Sequence, residues 1–190
     1  MDVNEGVAIK EYFEEYVPII FKEQLEQVTI GGMEGTSVSL SFKIVGDSVH
    51  YYGVIIRDAK DLEVKPGPID SPTIAIELTE DLWRKAVTGT IPGIMDLFTD
   101  VGTLANRSRY EQLAGAAGTL LLDLERPGEA NIELKVVFNN ADAPQTAFHC
   151  SLETWVAIMK GELDGMSAFL GGKMKLDGDM MFAMSLNSLL

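Results

Sequence analysis

The 190-residue sequence predicts an α+β protein made of two related halves. Three observations predict it. Several segments alternate apolar and polar residues with period two between turn residues, which marks strands with one buried face. Others repeat apolar residues at spacings of three and four between a capping residue and a glycine stop, which marks amphipathic helices. The order strand, helix, turn, helix then occurs twice.

The first segment places Val7, Ile9, Tyr12, Phe13, Tyr16, Val17, Ile20, Phe21 and Leu25 at helical spacing, with a break or kink expected near Pro18. After Gly31–Gly32, Val38, Leu40, Phe42 and Ile44 alternate with polar residues. Gly46–Asp47–Ser48 then reads as a hairpin turn into a second strand, VHYYGVIIRD, with a shorter strand at Leu62–Val64. Thr73–Leu78 is another strand. It runs into a helix capped by Thr79, carrying Glu80 and Asp81 in its first turn and stopped by Gly89. Residues 99–118 are looser and form the junction between the halves.

Beyond that junction Thr119–Leu124 and Ile132–Phe138 read as strands joined by the turn Arg126–Pro127–Gly128, and Thr146–Cys150 as a third. Ser151 caps a helix ending at Lys160–Gly161. Residues 79–98 laid over 151–170 bring Trp83 onto Trp155, Gly89 onto Gly161, Ile91 onto Leu163, Gly93 onto Gly165, Ile94 onto Met166 and Phe98 onto Leu170. Aligning the preceding strands takes one inserted residue, with Thr73 over Thr146. Rare tryptophans and punctuating glycines coincide, so the segments read as a duplication: an N-terminal unit over 1–100 and a C-terminal unit over 101–190.

Composition narrows function by exclusion. The chain is 46% apolar and 23% charged, an ordinary globular balance, but 29 acids against 15 bases leave −14. Of these charges, −10 lies in residues 1–100 and −4 in 101–190. That argues against nucleic acid as a partner, which clustered Lys and Arg would hold, and against steady attraction to anionic lipid headgroups. One cysteine and two histidines predict no disulfide, no metal site and a reducing, cytoplasmic setting. The acidic N-terminal segment lacks a secretion signal's pattern, and no apolar run approaches the ~18 residues of a membrane span. No nucleophile-elbow, P-loop, HExxH or dinucleotide motif occurs, and no cofactor is expected. His149 and Cys150, as neighbours on one strand, point to opposite faces and do not form a catalytic pair.

The C-terminal stretch HCSLETWVAIMKGELDGMSAFLGGKMKLDGDMMFAMSLNSLL resembles the closing segment of the sterol carrier protein type 2 lipid-binding family. The matching elements are Lys160–Gly161, Ala168–Phe169–Leu170, Gly172 to Met180, and Ala183–Met184. The loop departs, with Asp164–Gly165 where the family commonly has Asn-Pro. The first half resembles the family's earlier portion through PTIAIELTEDLWRKAVTG and GIMDLF, but no GKMKLDGDM equivalent follows Phe98. Its last strand is either missing or supplied elsewhere, for which GTLLLDL is the candidate. The resemblance implies a mostly antiparallel sheet with helices packed on one face and an apolar tunnel between them. In this chain two related units would dock into one body.

What the resemblance implies functionally is a non-catalytic carrier of a fatty acyl, sterol-like or isoprenoid molecule. The alternative is an accessory module with a filled cavity, acting through a protein partner or as a homodimer. Six of the nine methionines fall between Met159 and Met184, and flexible thioether chains suit ligands of variable shape. The expected lining is Trp155, Met159, Met166, Phe169, Met174, Leu176, Met181 and Met184. Met174 and Leu176 share one strand face; Lys173 and Lys175 take the other. The last helix, Met180–Leu190, is a candidate lid, docked terminus or dimer contact.

Overall fold

The computed structural model describes residues 3–91 and 105–186. The expected matches of Gly93 with Gly165, Ile94 with Met166 and Phe98 with Leu170 fall partly outside those residues. So does the end of the last helix beyond Leu186.

Period-two alternation yields eight strands: β1 (Ser37–Val45), β2 (Val49–Arg57), β3 (Asp61–Pro66), β4 (Ile74–Thr79), β5 (Gly118–Glu125), β6 (Ile132–Phe138), β7 (Gln145–Ser151) and β8 (Met174–Gly178). They form one sheet in the order β3-β2-β1-β4-β6-β5-β7-β8. Only β1/β4 and β5/β7 are parallel; the other neighbours run antiparallel. The register lines up Tyr52, Phe42, Ile76, Val136, Leu120 and Thr146 across adjacent strands, and every one of them is buried. One face of the sheet is therefore a continuous core. The other is largely polar, with Lys43 paired to Glu77 at 2.8 Å and Arg57 to Glu63 at 2.8 Å.

Helices cover the core face. The N-terminal run is α1 (Ile9–Glu11), a wide π turn over Tyr12–Tyr16, and α2 (Val17–Leu25). The break expected near Pro18 is instead this π turn, closed by the Val17 N–H donating to the Tyr12 carbonyl. A helix widened just before Pro18 accommodates a residue with no N–H to give. Phe13 anchors the run by stacking on Tyr52, with ring centroids 4.6 Å apart and planes within 3°. The remaining helices are α3 (Glu80–Val87), α4 (Arg107–Gly115), α5 (Leu152–Met159), α6 (Gly165–Leu170) and α7 (Met180–Leu186). α4 corrects the reading of 99–118 as loose chain. Asn106 caps it by accepting from the Arg109 N–H at 3.1 Å, and Arg107 pairs with Glu111 at 3.0 Å.

The two halves repeat one hydrogen-bonding scheme. Thr79 accepts from the Leu82 N–H and Ser151 from the Thr154 N–H, each three residues on. The helix ends match as well: Gly89 donates to Ala86 and Gly161 to Ile158, and Ile91 donates to Lys85 and Leu163 to Ala157. Gly89 and Gly161 adopt φ of 75° and 69°, the left-handed stop that glycine takes without steric cost. Trp83 and Trp155 are both fully buried, and neither indole N–H has a hydrogen-bond partner among the described residues. The strands need no inserted residue: Ile76 beside Phe42 matches Phe148 beside Leu122, which brings Ile74, not Thr73, onto Thr146.

The other neighbour of β4, at the centre of the sheet, is β6, antiparallel to it as β8 is to β7. The strand completing the first half is therefore IELKVVF and not GTLLLDL. GTLLLDL is β5, which lies parallel to β7 as β1 lies parallel to β4.

Candidate functional site

Two outer strands and three short helices of the C-terminal half enclose an apolar cavity of about 310 Å3, at the lower end of the size range of small-molecule sites. Alternation along β8 turns Met174 and Leu176 to the core face, where they lie beside Cys150 and Phe148 of β7. α5 adds Trp155 and Ile158, one helical turn apart. The turn through Gly161 then places Leu163 at the wall and Asp164 at the cap of α6, where its carboxylate accepts from the Ser167 N–H at 2.7 Å. α6 contributes Met166 and Phe169. α6 is fastened to the strand that follows by the Lys173 N–H donating to the Ala168 carbonyl at 2.8 Å. Asp179 caps α7 by accepting from the Phe182 N–H at 2.8 Å, and α7 presents Met180, Ala183 and Met184.

Of the expected lining residues, Trp155, Met166, Phe169, Met174, Leu176 and Met184 meet at this cavity. Met159 does not line it; half-buried, it packs against the main core. Met181 does not line it either, being 78% exposed. On α7 the helical period puts Met180 and Met184 on one side and Met181 about 100° away from Met180. Phe148, Ile158, Leu163 and Ala183 line the cavity beyond the expected set, as does Met180, one of the six clustered methionines. Their signals were present: Ile158 follows Trp155 by three, Met180 precedes Met184 by four, and Phe148 alternates with Cys150. The mouth is apolar too, with Met166, Met180 and Met184 at 37%, 45% and 53% exposure and Leu170 beside them at 77%.

A smaller void of about 40 Å3 lies beneath the π turn and α2, among Phe13, Phe21 and Phe42.

A wider, shallow groove of about 740 Å3 lies over the polar face of β5, β7 and β8, and its lining is mostly polar and charged. Its centre is a brace. His149 Nδ1 stands 3.0 Å from Asp123 Oδ2 and Nε2 stands 3.2 Å from Asp177 Oδ2, while the Asn131 amide donates to Asp123 at 2.8 Å. The bond from His149, and after it that from Asn131, hold the Asp123 carboxyl below its ordinary range. Both imidazole nitrogens thus face carboxylates, which fixes the orientation of the ring. Among the described residues no cluster of three or more His, Cys, Asp or Glu is placed to hold a metal.

Cys150 faces the core while His149 faces the groove, as the strand pleat requires. Burial pushes the Cys150 thiol up to about 11, with Glu125 and Asp123 adding to the effect. Its nucleophilic thiolate is therefore scarce at pH 8. An aromatic disulfide reagent should modify the native protein far more slowly than a free thiol and reach one equivalent only on denaturation. Rapid stoichiometric labelling of the folded protein would contradict this placement.

Residues 98–190 match the family model described as the SCP-2 sterol transfer family. Solved structures similar to the chain include two sterol carrier proteins. The sterol carrier protein domain 2 of Helicoverpa armigera is 23% identical, covering 53% of this chain and 80% of its own, with a TM-score of 0.34. The sterol carrier protein 2 like 2 of Aedes aegypti is 15% identical, covering 93% of this chain and 94% of its own, with a TM-score of 0.24. No curated protein matches the chain.

Proposed function

We propose, from the match of residues 98–190 to the SCP-2 sterol transfer family model, that the chain carries a lipid-like molecule in its C-terminal cavity without covalent chemistry. The observation that carries this reading is the apolar cavity of about 310 Å3 walled by Trp155, Phe169, Met174 and Leu176 and rimmed by methionines. The driving force is removal of apolar ligand surface from water. The ligand class is an alkyl, isoprenoid or sterol-like molecule.

The reading also assigns roles to the halves. Residues 1–100 and 101–190 are related units, supported by the matched caps, glycine stops and buried tryptophans. The first unit shares the sheet, and the second holds the ligand. The single buried cysteine suits a reducing, cytoplasmic setting. Among the described residues no helix is long and apolar enough to cross a membrane. Leu170 and Met181, 77% and 78% exposed, favour a second role as a contact for a protein partner or a second copy. Sedimentation of the full chain across a concentration range tests the second copy.

A homologous series of 1-alkanols tests the carrier reading. Each enclosed methylene contributes about 0.8 kcal/mol, so affinity by titration calorimetry should rise up to about fourfold per carbon. It should then level off once the cavity is full. A ligand present at a hundred times its dissociation constant should stabilise the fold by about 2.7 kcal/mol. No binding by any member, with no shift in unfolding, would overturn the reading.

A further inference from the structure

The charge of the cavity wall defines the ligand's polar end. The wall contains no Lys, Arg or His, and its one ionisable side chain is Asp164. The nearby cations are directed elsewhere: Lys173 and Lys175 line the groove on the opposite face of the sheet, and Lys160 is exposed at the end of α5. Residues 1–2, 92–104 and 187–190 contain no Lys, Arg or His at all. The helix starts offer an anion nothing either, because Asp164 caps α6 and Asp179 caps α7.

An ionised carboxylate drawn into such a wall loses water without gaining a partner and meets a like charge at Asp164. An alcohol or ester of the same length needs at most one or two hydrogen bonds, which water at the open mouth can supply. Resting on the carrier reading, we infer that the cavity selects lipids with an uncharged polar end, such as long-chain alcohols, esters or sterol-like hydroxyls, over fatty-acid carboxylates.

Calorimetry of the full chain with 1-dodecanol and with dodecanoate at pH 8, below the concentration at which either aggregates, tests the selection. Dodecanol should bind about tenfold or more tightly than dodecanoate. Asp164→Asn keeps a good helix cap while removing the charge, so it should narrow that ratio by raising dodecanoate affinity about threefold. Equal or tighter binding of dodecanoate to the unmodified chain overturns the selection and leaves the carrier reading standing. Failure of both ligands to bind overturns the carrier reading and the selection with it.

Discussion

Replacing both Met180 and Met184 by glutamate is expected to weaken 1-alkanol binding more than tenfold while moving the unfolding midpoint by only a few degrees. Both side chains line the cavity, yet both are about half exposed, so the core does not depend on them. Surface changes of this kind alter stability by about 0.5 kcal/mol or less. A glutamate in the first turn of α7 favours the positive helix end, and its repulsion from a second glutamate four residues on roughly cancels that gain. The ligand, by contrast, loses two apolar contacts and meets two charges at the mouth. Met181→Glu is the matched control, because it adds charge to the same helix off the cavity and should change affinity less than about twofold. Equal losses from the double variant and from Met181→Glu would show that charge on α7, rather than the wall, governs binding.

Gly178→Ala should cost about 2–4 kcal/mol of stability, read as a lower midpoint in denaturant. Gly178 ends β8 at φ 101°, a conformation that residues with a Cβ rarely adopt. An alanine Cβ there would collide with the Gln145 carbonyl oxygen and stand 3.1 Å from the Thr146 Cα, both backbone atoms of β7. The same carbonyl accepts from the Asp179 N–H at 2.8 Å, and Asp179 caps α7. Separating the strands would therefore also displace the helix that borders the cavity, so alkanol binding should fall with stability. A variant as stable as the parent would mean that β8 leaves the sheet at no cost, contrary to the pairing seen.

Much of this was legible because the signals are local. Alternation at Met174 and Leu176 faces them into the cavity whatever the neighbouring strand is. Thr79, Ser151 and Gly161 start and stop helices through bonds spanning three or four residues. Trp83 and Trp155 at matched positions made the two halves visible before any coordinates. Where the local signal was weak, reading failed: Asn106 caps α4, but the apolar stripe of Arg107–Gly115 is too sparse to mark a helix. On α7 the composition pointed to methionine without resolving its phase, which put Met181 in the lining and left Met180 out.

The sequence by itself determined the α+β class, the strand and helix repertoire, the internal likeness of the halves, and an acidic chain whose methionines gather near one end. Only the tertiary structure decided that β6 stands beside β4 as β8 stands beside β7, that Phe13 packs the N-terminal helical run onto Tyr52, and that the second half holds a cavity whose wall, among the described residues, carries one ionisable side chain, Asp164. The physical reason is range. Periodicity and capping act over a few residues, whereas β4 finds β6 from about sixty residues away, and β1 finds β4 and β5 finds β7 from about thirty. A cavity is what remains after every such choice has been made.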